Sequence, residues 1–154
     1  MSSVTNHHAR PMDRVLVIDE LPLISIAFQE LFRSINPSAS VAYCENVFRA
    51  LSAKDYAGDA FDLIVVGSVP DGRPEKAVRE LKDRFSQPSV MLYSGVYDPA
   101  IIEKMEEDGV DAYVHRYEPI EEIREAYRRL SAGTHFISGI FRTLYDDYRF
   151  GPGK

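Results

Sequence analysis

The chain has 154 residues, of which 45% are hydrophobic and 27% are charged, and its formal net charge at pH 7 is −6. This length and composition are typical of one globular domain and exclude a disordered segment. An acidic chain lacks the basic face of a general nucleic-acid binder, and its single cysteine, Cys44, excludes a disulfide framework and a Cys-rich metal site. No apolar run is long enough to span a membrane and no signal peptide is evident, so we expect a cytoplasmic protein.

The first twelve residues are polar and without periodicity, which predicts a flexible N-terminal arm over residues 1–12. His7 and His8 in this arm are expected to be solvated rather than metal-bound. Five short apolar runs then follow, of the kind that forms strands buried on both faces of a parallel sheet. They cover residues 15–18, 40–44, 63–66, 90–93 and 112–115.

Segments with helical spacing alternate with these strands. The first begins near Pro22 and ends before Pro37, because proline is favoured in the first turn of a helix and disfavoured inside it. The fourth is predicted to begin after an N-cap at Asp98 and to end at Gly109. The others are centred on residues 47–51, 78–85 and 120–130, and the fourth helix contains residues 101–105. The alternation predicts an α/β fold with a doubly wound, five-stranded parallel sheet in residues 13–134.

A sixth helix is predicted in the C-terminal segment, residues 135–154, with its apolar residues on one face. This face either packs on its own domain, which is the favoured alternative, or receives a partner or a second copy of the chain. On the first helix, Leu23 and Ile26 widen the apolar face beyond one stripe. The candidate interface residues are Ile24, Phe28, Leu31, Tyr127, Phe141 and Tyr145.

Polar residues follow the predicted strands at the edge where open parallel sheets bind ligands. Because the carboxyl ends of parallel strands meet at this edge, we expect these residues to lie close together. Two adjacent carboxylates, Asp19 and Glu20, offer a weak site for Mg²⁺, which prefers oxygen ligands. The complete set is Asp19, Glu20, Gly67, Ser68, Ser94, Gly95 and Arg116.

Five motifs along the chain resemble those of bacterial response-regulator receiver domains, which are CheY-like, and more narrowly receivers of the LuxR/NarL subfamily. They lie at residues 15–22, 61–66, 93–95, 108–113 and 132–138, so the resemblance covers about residues 14–138. It implies a flavodoxin-like (βα)5 fold followed by an extra C-terminal helix. It also implies a hydroxyl at Ser94 that bonds a phosphoryl group and a switch aromatic at Tyr113.

The chain departs from this family at the phosphorylation pocket. The aspartate that accepts the phosphoryl group in the family is replaced by Gly67, which has no nucleophile. The family's lysine corresponds to Arg116, whose planar guanidinium is not equivalent to a compact ammonium. The acidic pair Asp19 and Glu20 remains, but the third carboxylate of the Mg²⁺ site is missing. These changes predict a pseudo-receiver in which Arg116 forms a salt bridge with Asp19 or Glu20.

We therefore predict an atypical receiver domain of a two-component or phosphorelay response regulator. It is not phosphorylated by the usual route and serves as a protein–protein interaction or dimerisation module in bacterial signal transduction or transcription control. The common enzyme motifs are absent, which predicts no enzymatic activity and no cofactor beyond weakly held Mg²⁺. We expect no nucleic-acid binding by this chain alone, because its length leaves no room for a helix-turn-helix output domain.

Two alternatives remain open. In the first, a displaced residue accepts the phosphoryl group: Asp71 is the main candidate, with Ser68 and His115 as further ones. In the second, the degenerate pocket senses a small ligand through Arg116 and Ser94.

Overall fold

The computed structural model describes residues 9–56, 60–67 and 73–151. Within them, six strands form one parallel sheet in the order β2-β1-β3-β4-β5-β6. The strands are β1 (Arg14–Ile18), β2 (Ser40–Cys44), β3 (Leu63–Val66), β4 (Ser89–Ser94), β5 (Ala112–His115) and β6 (Phe136–Ile137). The strand order reverses between β1 and β3, which places a crevice at their carboxyl ends.

The helices connect the strands and cover both faces of the sheet. They are α1 (Pro22–Ile35), α2 (Val47–Ser52), α3 (Pro74–Arg84), α4 (Pro99–Glu103), α5 (Met105–Asp108), α6 (Ile120–Ser131) and α7 (Gly139–Phe150), and a 3₁₀ turn spans Lys54–Tyr56. No helix among the described residues has both the length and the apolar content needed to cross a membrane.

The sheet has one strand more than the sequence predicts. Phe136 and Ile137 pair in parallel with Ala112 and Tyr113 of β5, and the Phe136 amide donates to the Asp111 carbonyl at 3.1 Å. These contacts satisfy backbone groups that would otherwise be unpaired along the edge of β5. A strand of two residues is too short to produce a hydrophobic period, so the five-strand prediction is wrong at this edge.

The predicted fourth helix is divided into two short helices, α4 and α5. Asp98 caps α4 as predicted, because its side chain accepts a hydrogen bond from the Ala100 amide at 3.0 Å. Gly109 follows α5 with φ of +80°, the left-handed conformation expected after a helix. The break lies at Lys104, whose backbone leaves helical geometry.

The end of the predicted N-terminal arm packs against the domain. Met12 is completely buried, its carbonyl accepts a hydrogen bond from the Tyr127 hydroxyl at 2.7 Å, and the Arg10 amide donates to Ser131 O at 2.9 Å. The prediction of flexibility is therefore wrong for these residues, because an apolar side chain at position 12 anchors them. His7 and His8 lie outside the described residues.

Two apolar cores lie on opposite faces of the sheet. One contains Phe28 and Phe32 of α1 with Tyr127 of α6, and the Phe32 and Tyr127 rings stack at 4.6 Å. The other contains Phe85 and Phe141, so α7 packs on its own domain as the favoured alternative predicts. The interface prediction is wrong for Phe28, Tyr127 and Phe141, because these side chains fill the cores, whereas Ile24, Leu31 and Tyr145 are partly exposed.

Candidate functional site

The carboxyl edge of the sheet brings together the predicted pocket residues. Asp19 follows β1 and Gly67 follows β3 at the point where the strand order reverses, and the Gly67 amide donates to Ile18 O at 2.7 Å. Arg116 follows β5, and its amide donates to the Ser94 carbonyl at the end of β4 at 3.1 Å. Regular parallel pairing therefore sets the positions of all four residues.

Arg116 forms the predicted salt bridge, and its partner is Asp19. Arg116 Nη2 lies 2.6 Å from Asp19 Oδ2 and 2.6 Å from the Gly67 carbonyl oxygen. The other oxygen, Asp19 Oδ1, accepts a hydrogen bond from the Leu21 amide at 2.9 Å. The Asp19 side chain is 2% exposed and that of Arg116 is 28% exposed. A charge-assisted bond at this depth is among the stronger polar contacts in a protein.

The same pair occupies the space that a side chain at position 67 would need. A Cβ atom built on Gly67 overlaps Asp19 Oδ2 and lies 2.9 Å from Asp19 Cγ and 3.1 Å from Arg116 Nη2. These separations are shorter than carbon tolerates against buried, hydrogen-bonded neighbours. Any residue other than glycine at this position therefore requires Asp19 or Arg116 to move.

Ser94, in the position of the family's hydroxyl, and Tyr113, in the position of its switch aromatic, both form hydrogen bonds with the loop between β4 and α4. Ser94 Oγ accepts from the Val96 amide at 3.0 Å. The Tyr113 hydroxyl donates to the Val96 carbonyl at 2.7 Å and accepts from the Asp98 amide at 3.1 Å. The Tyr113 side chain is buried, and this desolvation raises its pKa from 10.0 to about 12. Tyr113 thus points inward and has a donor and an acceptor for its hydroxyl.

Of the other candidate acceptors, His115 lies within the described residues, and its contacts are with Tyr117 and Phe141. His115 accepts a hydrogen bond from the Tyr117 amide at Nδ1 (3.0 Å), and its ring centroid lies 5.0 Å from that of Phe141. Its position is that of a packed side chain at the end of β5. Ser68 and Asp71 lie outside the described residues. Glu20 is exposed next to Asp19.

The residues at this edge do not fit Mg²⁺ while Arg116 is in place. Both carboxylate oxygens of Asp19 already accept hydrogen bonds, one of them from a cation. Position 67 supplies a backbone carbonyl instead of a carboxylate, and that oxygen also contacts Arg116. Within the described part of the chain, no group of three or more His, Cys, Asp or Glu side chains is arranged to hold a metal ion.

A cavity of about 340 Å³ lies beside the salt bridge, between β4 and α4. Its walls are mainly apolar, and its polar side chains include those of Arg116, Ser94 and Asp98. The residues that line it include Val66, Leu92, Tyr93, Ser94, Ile101, Tyr113 and Arg116.

A second polar cluster, at the amino edge of the sheet, was not predicted. The buried Asp111 carboxylate accepts from the Val90 amide at 2.8 Å and from Lys82 Nζ at 2.9 Å, and His135 Nε2 lies 3.4 Å from its other oxygen. These contacts join α3, β4 and the start of β6 to β5. The sequence signal was an aspartate directly before a buried strand, but its partners are distant in sequence.

The fold is similar to several solved response-regulator structures. It matches a LuxR family DNA-binding response regulator from Silicibacter pomeroyi with a TM-score of 0.68 and 21% identity, covering 84% of this chain and 98% of that one. It matches a LuxR family two-component response regulator from Aurantimonas sp. SI85-9A1 with a TM-score of 0.74 and 19% identity, covering 88% and 96%.

A third match is the isolated REC domain of RcsB from Salmonella enterica serovar Typhimurium, with a TM-score of 0.71 and 15% identity, covering 88% of this chain and 99% of that one. No protein-family model matches the chain, and no curated protein does. Identities this low establish a shared fold and no more. The chain therefore has the α/β fold of a response-regulator receiver domain.

Proposed function

We propose that this chain is an atypical receiver domain that takes no phosphoryl group by the usual route and acts through protein–protein contact in bacterial signal transduction or transcription control. The observation that carries the proposal is the contact of Arg116 with Asp19 and with the Gly67 carbonyl. It supplies a positive charge where the acceptor carboxylate and its metal would be needed. The site has a cation of its own and no nucleophile at position 67.

The same contact argues against a resident Mg²⁺. An incoming divalent cation would have to displace a guanidinium from a buried carboxylate, and the displaced Arg116 would repel it. The proposal therefore includes no cofactor. It also predicts that beryllofluoride with Mg²⁺ leaves the thermal unfolding midpoint unchanged; a clear increase in that midpoint would show that the pocket still accepts a phosphoryl-like ligand.

Exposed apolar side chains near the pocket provide a surface for a protein partner or a second copy. Leu23 and Ile26 on α1 are 72% and 56% exposed, and Leu21, Tyr117 and Ile120 are exposed as well. All five follow the carboxyl ends of β1 or β5, so they lie at one edge of the sheet. Clusters of exposed apolar residues are typical of interaction sites. Among the structures with this fold, one contains RcsB dimers bound to DNA.

Sedimentation tests the dimerisation part of this proposal. We expect the wild-type chain to self-associate, and the double variant Leu23→Glu/Ile26→Glu to sediment as a monomer with an unchanged circular dichroism spectrum. Leu144→Glu is the matched control, since Leu144 is also an exposed leucine but lies on α7. A wild-type chain that stays monomeric at all concentrations, or a dimer unaffected by the double variant, would contradict dimerisation through α1.

The cavity beside Arg116 favours a second candidate function, the sensing of a small ligand. Its apolar walls suit an aromatic or aliphatic body, and Arg116 offers donors that can orient a polar group. Methyl NMR signals of Leu92 and Ile101 would report binding. Saturable shifts of these signals with small aromatic carboxylates would support ligand sensing. Unchanged signals would contradict it and favour the protein–protein interaction role. The remaining candidate, phosphorylation of Asp71, concerns a residue outside the described ranges.

A further inference from the structure

The start of α7 is held by side chains from another part of the chain. The Gly139 amide donates to Glu122 Oε1 at 2.7 Å, and the Ile140 amide donates to Glu118 Oε2 at 2.6 Å. The first amides of a helix have no partner within the helix, and Ser138, at the N-cap position, makes no side-chain capping bond. Two carboxylates from α6 and the loop before it therefore cap α7 across a tertiary contact.

One aromatic side chain anchors α7 to the sheet. Phe141 is completely buried and stacks on the Tyr113 ring, with 3.9 Å between centroids and 13° between planes. The His115 and Tyr97 rings flank it at 5.0 Å and 6.1 Å. We call the space between Tyr97, Tyr113 and His115 the Phe141 groove. Because Phe141 lies flat on Tyr113, docking of α7 restricts the movement of that ring.

The docked state leaves one polar group without a partner. The Tyr97 hydroxyl oxygen is buried and is, among the described residues, the single buried side-chain polar atom that makes no hydrogen bond. A buried hydroxyl loses its hydrogen bonds to water without replacement, which disfavours the state that buries it. Docking of α7 is thus stabilised by Phe141 and the two carboxylates and opposed by Tyr97.

We propose that α7 is a releasable latch: an intramolecular ligand of the Phe141 groove that detaches while the rest of the domain stays folded. Its polar attachments include Glu118, Glu122 and a hydrogen bond from the Tyr145 hydroxyl to Glu103 Oε2 at 3.4 Å, and its buried apolar attachment is Phe141. Detachment uncovers the groove and frees the Tyr113 ring, so the position of α7 controls the switch aromatic. This inference does not depend on the chemistry of the Asp19 pocket.

Hydrogen exchange of the full chain, followed by mass spectrometry, tests the latch. If α7 opens locally, its amides exchange faster than those of β1 and β3, which exchange through global unfolding. Glu118→Ala/Glu122→Ala removes both caps and should speed exchange across α7 by about tenfold or more, since hydrogen bonds to charged acceptors are stronger than average. Exchange of β1 and β3 should rise by no more than the same factor and stay slower than that of α7, because global unfolding breaks the caps as well. Glu121→Ala, on the exposed surface of α6, is the matched control. It should change neither the exchange rate of α7 nor that of β1 and β3.

Tyr97→Phe gives an independent result of the opposite sign. It removes the unpaired hydroxyl and keeps the ring, so exchange across α7 should become slower than in the wild type. Two results would overturn the proposal. One is exchange of the α7 amides at the rate of β1 and β3 in every variant, which would make α7 an inseparable part of the domain. The other is faster exchange of α7 in Tyr97→Phe.

Discussion

Arg116 stabilises the Asp19 carboxylate, whose side chain is only 2% exposed, while its own side chain stays 28% exposed. A carboxylate that is almost completely buried needs hydrogen bonds or a cation to offset its lost hydration. Arg116 provides the cation, and the Leu21 amide provides a further hydrogen bond. Gly67 completes the arrangement, because its missing side chain leaves the space that the pair occupies. Positions 67 and 116 are therefore coupled, and a change at one has consequences at the other.

Removing the cation tests this coupling through stability. We predict that Arg116→Ala lowers the free energy of unfolding by about 2–3 kcal/mol, since it leaves a buried carboxylate without its charged partner. Arg49→Ala is the control, because Arg49 makes an exposed pair with Glu45 at 3.4 Å and such pairs contribute about 1 kcal/mol or less. Urea unfolding measures both, and equal losses in the two variants would contradict the account.

Tyr113 should make stability depend on pH in the alkaline range. Burial raises its pKa from 10.0 in the unfolded chain to about 12 in the folded one. Below pH 10.0 both states keep the phenolic proton; between pH 10.0 and about 12 only the unfolded chain releases it, so stability falls as pH rises. Tyr113→Phe should reduce this fall, with the other buried tyrosines accounting for the remainder. Urea unfolding below and above pH 10.0 measures the slope; an unchanged slope in the variant would contradict the assignment.

At the scale of elements, continuous apolar runs predicted the central strands well. Residues 63–66 and 112–115 form strands with the predicted limits, because strands buried on both faces need apolar side chains at every position. Residues 40–44 also form a strand with the predicted limits, but it lies at the edge of the sheet and only Cys44 in it is buried. The strand β6 and the break at Lys104 could not be predicted. A strand of two residues is too short to show an alternation of apolar and polar side chains. The break at Lys104 is a local change in backbone geometry, and the spacing of apolar residues gives no sign of it.

The contacts of the candidate site also divide into those that the sequence could predict and those that it could not. The pairing of Arg116 with Asp19 was predictable, because the ends of parallel strands must meet at one edge. The contacts of Asp111 with Lys82 and of Glu118 with Ile140 were not, since they join segments separated by 29 and 22 residues whose side-chain directions depend on the packed fold. The burial of Phe28 was also misjudged, because a helical stripe does not show which part of it faces the core.

The two sides of α1 should respond differently to substitution. Phe28 is 3% exposed and contacts Tyr93 edge-on at 5.1 Å between ring centroids, so Phe28→Ala should cost about 3–5 kcal/mol of stability. Leu23 lies on the exposed side, and Leu23→Ala should change stability by about 0.5 kcal/mol or less at protein concentrations low enough that the chain is monomeric, since self-association through α1 would add to the apparent stability. Thermal or urea unfolding distinguishes them. A large loss from Leu23→Ala would indicate that this side of α1 is covered in the folded chain.

At the scale of the whole molecule, the chain has the fold of a receiver domain, and we propose that the pocket at its carboxyl edge takes no phosphoryl group by the usual route. The sheet order, the inward Tyr113 and the hydrogen-bonded Ser94 are intact, whereas the acceptor position is glycine and the adjacent cation is tied to Asp19. Gly67 removes the nucleophile, and Asp19 and Arg116 fill the space that a side chain at position 67 would need, so restoring phosphoryl transfer should require substitutions at both positions 67 and 116.

The most direct test is the intact mass of four chains after incubation with Mg²⁺ and acetyl phosphate. They are the wild type, Gly67→Asp, Arg116→Lys and the double variant Gly67→Asp/Arg116→Lys. We predict that the wild type and Arg116→Lys gain no phosphoryl group. Gly67→Asp alone should gain little, because its side chain meets Asp19 and Arg116, and the double variant should gain most. A wild-type chain that gains the mass of one phosphoryl group would contradict the account, and peptide mapping to Asp71, Ser68 or His115 would then identify the acceptor.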